Sequence, residues 1–215
     1  MSQEEHLLGR KRMVEEQIVR RGVHDPRLLS VMGDVPRHRF VLADDLAWAY
    51  ADGPLPIGHG QTISQPYIVA LMTDLLQLNG VERVLEVGTG SGYQAAVLGR
   101  MAAEVHTVEV IPELAAQATK ILAELGFSNI QIHDGDGSQG WPAASPYNAI
   151  LVAAAAPSVP QPLLDQLAEG GRLVIPVGDR GNQQLECWTR TGQKFERRVS
   201  LQVAFVPLRG EYGWK

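Results

Sequence analysis

The sequence predicts an α/β fold built on a mostly parallel, doubly wound sheet. From Gly80 onward, short apolar runs typical of buried strands alternate with segments whose apolar residues recur at helical spacing. Such alternation favours right-handed crossovers and a parallel sheet covered by helices on both faces. Two long strand-like stretches joined at Thr191–Gly192 close the chain and predict an antiparallel hairpin. The expected architecture is therefore Rossmann-like, with a C-terminal hairpin and additional N-terminal helices.

The N-terminal part is predicted to be helical and punctuated by proline and glycine. Pro26 and Pro36 mark breaks between helices, and the glycine- and proline-rich stretch 51–65 is expected to be turn-like. The predicted helices cover 4–21, 26–33, 43–50 and 66–78.

The sheet region follows in regular order. The segment 112–126 is predicted to be a helix because Pro112 opens it and Gly126 closes it. The other predicted helices are 93–103 and a short one within 160–171. The predicted strands are 83–88, 104–110, 129–134, 148–153, 171–178, 183–190 and 194–208.

Length and composition suit one soluble domain of 215 residues, with 45% hydrophobic and 20% charged residues. We divide it into N-terminal helices and substrate loop (1–80), a cofactor-binding core (81–178) and the hairpin and tail (179–215). A net charge of −5 offers no general attraction to nucleic acid. The start resembles neither a signal peptide nor a membrane span. With the single Cys187 in a predicted strand, we expect a cytoplasmic monomer that binds no membrane.

The stretch VLEVGTGSGYQAA predicts a ligand site. Three glycines at alternate positions, Gly88, Gly90 and Gly92, follow the first strand of the sheet, where doubly wound proteins bind ligands. A dinucleotide fingerprint would require a glycine at Tyr93, and a phosphate-binding Walker loop is absent. Glu86 just before the turn favours a ligand with positive charge over an anion.

The pattern E-x-G-x-G-x-G resembles the first motif of the class I S-adenosylmethionine methyltransferases. Glu109 ends the second strand, where an acid meets a ribose diol, although a surface acid is the alternative. In the methyltransferase layout, Asp136 receives the adenine amino group; a glycine-rich turn with solvated acids is the alternative. The candidate residues for binding S-adenosylmethionine are Glu86, Gly88, Thr89, Gly90, Gly92, Glu109, Asp136 and Gly137.

Further stretches identify a narrower resemblance. The chain resembles the protein-L-isoaspartate O-methyltransferases, most specifically in GQTISQP (60–66) and GDGSQGWP (135–142). Other stretches that carry it are RVLEVGTGSGYQAAVL, AAAAPSVP, GGRLVIPVG and FVPLRG. The resemblance implies methyl transfer from S-adenosylmethionine to the free α-carboxyl group of L-isoaspartyl residues in damaged proteins and peptides. The methyl ester then re-forms a succinimide, which initiates repair.

The resemblance also implies that Ser64 is the active-site residue, and we assign substrate binding to Gln61, Thr62, Ile63 and Ser64. A serine before Gln65 and Pro66 is equally typical of a helix N-cap, so both roles stay open here. The acceptor carboxylate, with a pKa of about 4, needs no general base. The sequence has no H-x-x-x-H pair, so it does not predict a metal site. His59 in the loop is a weaker candidate for a direct role in the reaction. Ala153 stands where the family often has threonine.

Three other functions fit parts of the pattern. A small-molecule carboxyl O-methyltransferase would share the chemistry, and only GQTISQP argues against it. A non-enzymatic module that keeps the cofactor fold is disfavoured because the glycine turn and the acids are all present. A nicotinamide oxidoreductase is disfavoured by the glycine spacing.

Overall fold

A seven-stranded sheet forms the centre of the protein, whose structure is a computed structural model that describes residues 2–214. The strands of the chain are β1 (Leu55–Gly58), β2 (Gln61–Ile63), β3 (Arg83–Val87), β4 (Glu104–Glu109), β5 (Ile130–Asp134), β6 (Tyr147–Val152), β7 (Leu167–Asp179), β8 (Asn182–Thr191) and β9 (Lys194–Val203). The order in the sheet is β5-β4-β3-β6-β7-β8-β9, and β1 and β2 form a separate two-stranded hairpin.

The topology confirms the predicted doubly wound sheet. Strands β5, β4, β3, β6 and β7 are parallel, whereas β8 and β9 pair antiparallel at one edge. Strand β4 lies on one side of β3 and β6 on the other, so the direction of winding reverses beside β3. A crevice therefore opens at the carboxyl end of β3, which is where ligands bind in such sheets.

Helices cover both faces of the sheet. They are α1 (Gln3–Arg12), α2 (Pro26–Asp34), α3 (Pro66–Leu76), α4 (Tyr93–Met101), α5 (Pro112–Glu124) and α6 (Gln161–Asp165). Helices α3, α4 and α5 share one apolar core with the N-terminal segments, and α6 packs in a second core on the opposite face. Within the described residues, none of these helices has the length and apolar character needed to cross a membrane.

The N-terminal part departs from the prediction in three places. The helix expected over 4–21 is α-helical only to Arg12 and continues as a π-helical turn and a 3₁₀ turn that ends at Arg21. The helix expected over 43–50 is a 3₁₀ segment, Ala43–Trp48. The stretch expected to be turn-like contains the β1–β2 hairpin. The sequence did not predict it, because strands of four and three residues are too short to show a period.

The C-terminal part differs at two boundaries. The short helix predicted within 160–171 is α6, and β7 begins at Leu167, four residues before the predicted start of that strand. Strand β9 ends at Val203, five residues before the predicted end. The reason is that the Gln183 side chain captures the main chain of Phe205, accepting from its N–H (2.6 Å) and donating to its carbonyl (3.2 Å). The chain then turns across the end of β6, where the Ala155 N–H donates to the Val206 carbonyl (2.8 Å).

Candidate active site

A cleft of about 790 Å³ occupies the crevice at the carboxyl ends of β3 and β4. Its wall combines the glycine turn, the end of β4, the β1–β2 hairpin and the segment after β9. Of the predicted site residues, the wall contains Gln61, Thr62, Ile63, Ser64, Gly88, Thr89, Gly90, Glu109 and Gly137. The fold thus brings together predicted residues from four separate parts of the chain.

The glycine turn lines the cleft with backbone. Gly88 (φ +92°) and Gly90 (φ +52°) have left-handed conformations that favour glycine, and both lie in the wall. Gly92 (φ +87°) does not line the cleft. A Cβ there would lie 3.2 Å from the Cβ of Ala118. Gly92 therefore lets α4 begin close against α5, and its predicted contact with the cofactor stays a prediction.

Glu109 lies in the wall with only 6% of its surface exposed. Its Oε2 accepts from the Gly90 N–H (2.8 Å) and its Oε1 from the Ile111 N–H (3.0 Å). Two main-chain donors therefore fix the carboxylate and tie the glycine turn to the end of β4. An ionised carboxylate has about four acceptor positions, so lone pairs remain for ligand hydroxyls.

Glu86 lies behind the wall and is fully buried. Its Oε2 accepts from the Thr107 hydroxyl (2.6 Å), which lies 2.7 Å from the hydroxyl of Thr89 in the cleft wall. Burial, opposed by the hydrogen bond from Thr107, raises the pKa of Glu86 to about 8. Glu86 is thus linked to the cleft wall through two threonine hydroxyls, and its predicted contact with the cofactor stays a prediction.

Asp136 also lies outside the cleft wall, whereas its neighbour Gly137 is within it. The Asp136 carboxylate accepts from the main-chain N–H groups of Ser138 (2.9 Å) and Glu211 (2.8 Å) and from the Ser138 hydroxyl (2.6 Å). Burial opposes its ionisation, but these hydrogen bonds outweigh burial and lower the pKa of Asp136. Asp136 thus clamps the C-terminal segment to this turn, and its predicted contact with adenine stays a prediction.

Ser64 lies in the cleft wall at the end of the β1–β2 hairpin and is half-buried. The N-cap of α3 is Gln65, and no side chain caps this helix. The alternative interpretation of Ser64 as a helix cap is therefore wrong. His59 sits at the hairpin tip with φ +54° and is not part of the wall.

A second cavity, which we call the groove, has a volume of about 1350 Å³ and adjoins the cleft. Four residues line both cavities, namely Thr62, Ser64, Ala153 and Val206. Away from this junction, the groove runs between the start of α3 on one side and the start of β8 and the end of β9 on the other. Ser64 thus stands where the two cavities meet.

Sequence reasoning missed a buried cation beneath the cleft. Arg37 is fully buried, donates to the Ala49 carbonyl (2.9 Å), and places its guanidinium 4.9 Å from the ring centroid of Tyr93, which lines the cleft. Desolvation lowers the pKa of Arg37 to about 10, so the group remains charged at neutral pH. Arg37 begins a 3₁₀ turn, and nothing in the sequence around it predicts that its side chain is buried.

A doubly wound sheet with a glycine turn after its first parallel strand, and an acid fixed against that turn, is typical of the class I S-adenosylmethionine-dependent methyltransferases. The chain belongs to the protein-L-isoaspartate(D-aspartate) O-methyltransferase family, whose model matches residues 9–213.

Individual relatives agree over nearly the whole length. A protein-L-isoaspartate O-methyltransferase of Methanoregula boonei is 53% identical over 206 residues, which cover 96% of this chain and 95% of the relative. The corresponding protein of Trichlorobacter lovleyi is 54% identical over 209 residues, covering 97% and 96%.

Solved structures show the same likeness. One protein-L-isoaspartate O-methyltransferase superposes with a TM-score of 0.86 at 28% identity, covering 95% of this chain and 67% of its own. A Plasmodium falciparum structure assigned to this family, in complex with S-adenosyl-L-homocysteine, has a TM-score of 0.81 at 27% identity and covers 93% and 98%.

Proposed function

We propose that the cleft holds S-adenosylmethionine and that the groove holds the substrate, with Ser64 between them. As a member of its family, the chain is an S-adenosylmethionine-dependent enzyme that methylates the α-carboxyl group of L-isoaspartyl residues in proteins and peptides. The observation that carries the arrangement is the junction of the two cavities at Thr62, Ser64, Ala153 and Val206.

The cleft suits a cofactor with a ribose diol and no phosphate. The bare backbone of Gly88 and Gly90 permits close approach, and the fixed Glu109 carboxylate offers acceptors for two hydroxyl groups. Gly137 lies where β5 leads into its turn and provides the wall for adenine. A Cβ at Gly137 would lie 2.6 Å from Val87 Cγ1, so only glycine lets this turn pack against β3.

The chemistry requires orientation and no proton abstraction. S-adenosylmethionine, when bound, supplies an electrophilic methyl group. The substrate carboxylate is already ionised at neutral pH, since its pKa is about 4. Ser64 donates a hydrogen bond to one carboxylate oxygen and leaves the other free to react. Fixing the orientation of a reacting group is worth up to about 7–11 kcal/mol in well-aligned systems.

The shape of the groove favours a peptide over a small carboxylic acid. The groove continues beyond Ser64 along the start of β8 and the end of β9, and a small acid would leave most of this wall uncovered. An extended peptide would fill it while its isoaspartyl carboxylate reached the junction.

The test is transfer of labelled methyl from S-adenosylmethionine to a short peptide with one L-isoaspartyl residue, with the normal aspartyl peptide as the control. We expect base-labile label on the isoaspartyl peptide alone. Label on neither peptide, with cofactor binding intact in a calorimetric titration, would overturn the substrate assignment and favour a small-molecule acceptor.

We further propose that the protein acts as a monomer in the cytoplasm, without nucleic acid. Residues of one chain line both cavities, and the net charge is −5. Light scattering coupled to gel filtration should give a mass near 23.4 kDa, and a stable mass of twice that value would contradict the monomer.

A further inference from the structure

The groove beyond Ser64 is lined almost entirely by uncharged groups. Its apolar wall comes from Pro54, Tyr67, Ile68, Leu201, Val203 and Phe205. Its polar groups are mostly neutral amides and hydroxyls, such as Asn182 and Gln202. Among the described residues that line it, Arg21 alone carries a charge.

Arg21 lies at the rim of the groove and is paired on its far side. Its guanidinium pairs through both terminal nitrogens with the Asp52 carboxylate and lies 4.9 Å from the ring centroid of Tyr67. Asp52 is fixed from its other side by the Gln65 amide (2.7 Å). The pair is therefore ordered before any substrate arrives.

The two charges of this pair are not equally placed. Arg21 lines the groove and its side chain is 40% exposed, whereas Asp52 does not line it. A guanidinium has five N–H donors in a planar fork, so the pairing with Asp52 leaves donors unused. A charged group in the groove thus lies closer to the Arg21 guanidinium than to the Asp52 carboxylate.

We propose that Arg21 makes the enzyme prefer isoaspartyl peptides with an acidic side chain in the flank that crosses the groove. This inference rests on the proposed binding of the peptide in the groove. Neutral walls accept varied side chains, whereas the single cation attracts a carboxylate and repels a lysine. The preference is modest because the site is partly exposed: surface ion pairs contribute about 0.2–1 kcal/mol, or a factor of about 1.4–5.

The experiment uses L-isoaspartyl peptides with one Asp, Ala or Lys placed in turn at each position up to about four residues from the isoaspartyl group. At low salt, we expect KM to be about threefold lower for Asp than for Lys. The difference should appear at neighbouring positions of the peptide, and only on one side of the isoaspartyl residue. The difference should shrink at about 0.5 M salt, where screening is strong. Equal KM values at every position would overturn the inference.

Variants assign the preference to this residue. In Arg21→Gln, the ratio of KM between Lys and Asp peptides should fall to one or below, since Asp52 loses its counter-charge, while Arg21→Lys should keep the order. Arg20→Gln is the matched control, because Arg20 is the adjacent exposed arginine and does not line the groove. A ratio that survives in Arg21→Gln would contradict the role of Arg21. The proposed function fails separately, if no isoaspartyl peptide is methylated at all.

Discussion

The cleft and the groove meet at Ser64 and are built in opposite ways. The cleft is formed by glycine backbone and by buried groups at the ends of core strands, with Glu109 fixed by two main-chain donors. The groove lies between segments far apart in the chain, near residues 21, 64–68 and 181–206, and most of its walls are neutral. The cleft wall contains an acid held by main-chain donors, whereas the groove is lined mostly by uncharged side chains.

The difference matches the two ligands of the enzyme. The cofactor is always the same molecule, so fixed acceptors and close backbone suit it. Damaged proteins vary around the isoaspartyl residue, so their site benefits from walls that do not demand particular side chains. Ser64 belongs to both cavities and should affect turnover without affecting cofactor affinity.

The largest expected effect separates these two properties at Ser64. Ser64→Ala removes the hydroxyl that we propose orients the substrate carboxylate, and hydrogen bonds to charged groups contribute about 1.5–3 kcal/mol. We expect kcat to fall by about 10–100-fold, with the Kd for S-adenosylmethionine unchanged in a calorimetric titration. Ser30→Ala, at an exposed serine of α2, is the control. An equal loss of cofactor affinity would show that Ser64 serves the cleft instead.

The next effect concerns the cleft alone. Glu109→Ala removes the proposed diol acceptor and frees the Gly90 and Ile111 N–H groups. We expect the Kd for S-adenosylmethionine to rise by about 10-fold or more, because charge-assisted hydrogen bonds are lost. The peptide KM at saturating cofactor should change little. Glu113→Ala, on the exposed first turn of α5, should leave Kd unchanged, and an unchanged Kd in Glu109→Ala itself would remove the assignment.

The same contrast explains what the sequence could predict. The cleft lies at one edge of a periodic strand–helix pattern, so Gly88, Gly90 and Glu109 were found from local spacing. Glu86 is fully buried behind the cleft wall, since a strand residue two positions before a turn can face the core as easily as the ligand. Sequence spacing alone does not distinguish these orientations.

The sequence does not predict the groove. Arg21 sits at the end of an irregular helix and meets Asp52 and Tyr67 only through the tertiary fold. The path of residues 204–208 depends on the capture of Phe205 by Gln183, 22 residues away in the chain. A strand pattern continued through 208, so the early end of β9 could not be predicted from periodicity.

A smaller effect decides whether Asp136 belongs to the cleft. Asp136→Ala leaves the donors of Ser138 and Glu211 without their acceptor, so we expect unfolding free energy to fall by about 1–3 kcal/mol in urea titrations. If the carboxylate also receives adenine, the Kd for S-adenosylmethionine should rise as well. Asp134→Ala, at the exposed end of β5, is the control. Unchanged stability in Asp136→Ala would contradict the clamp.

The last effect lies behind the cleft wall, at Glu86, and appears only as a pH dependence of stability. Its pKa is about 8 in the folded protein against an ordinary value of 4.5, so between these pH values the folded state keeps a proton that the unfolded state releases. Stability contributed by this group is therefore complete below about pH 4.5 and declines as pH rises toward 8, by up to about 1.4 kcal/mol per pH unit.

Glu86→Gln cannot titrate, so its unfolding free energy should fall less steeply with pH than that of the wild type. Glu113→Gln, an exposed glutamate, should keep the wild-type slope. Parallel slopes for Glu86→Gln and wild type would mean that Glu86 is ionised in the fold, and that the cleft wall contains a buried negative charge facing the cationic cofactor.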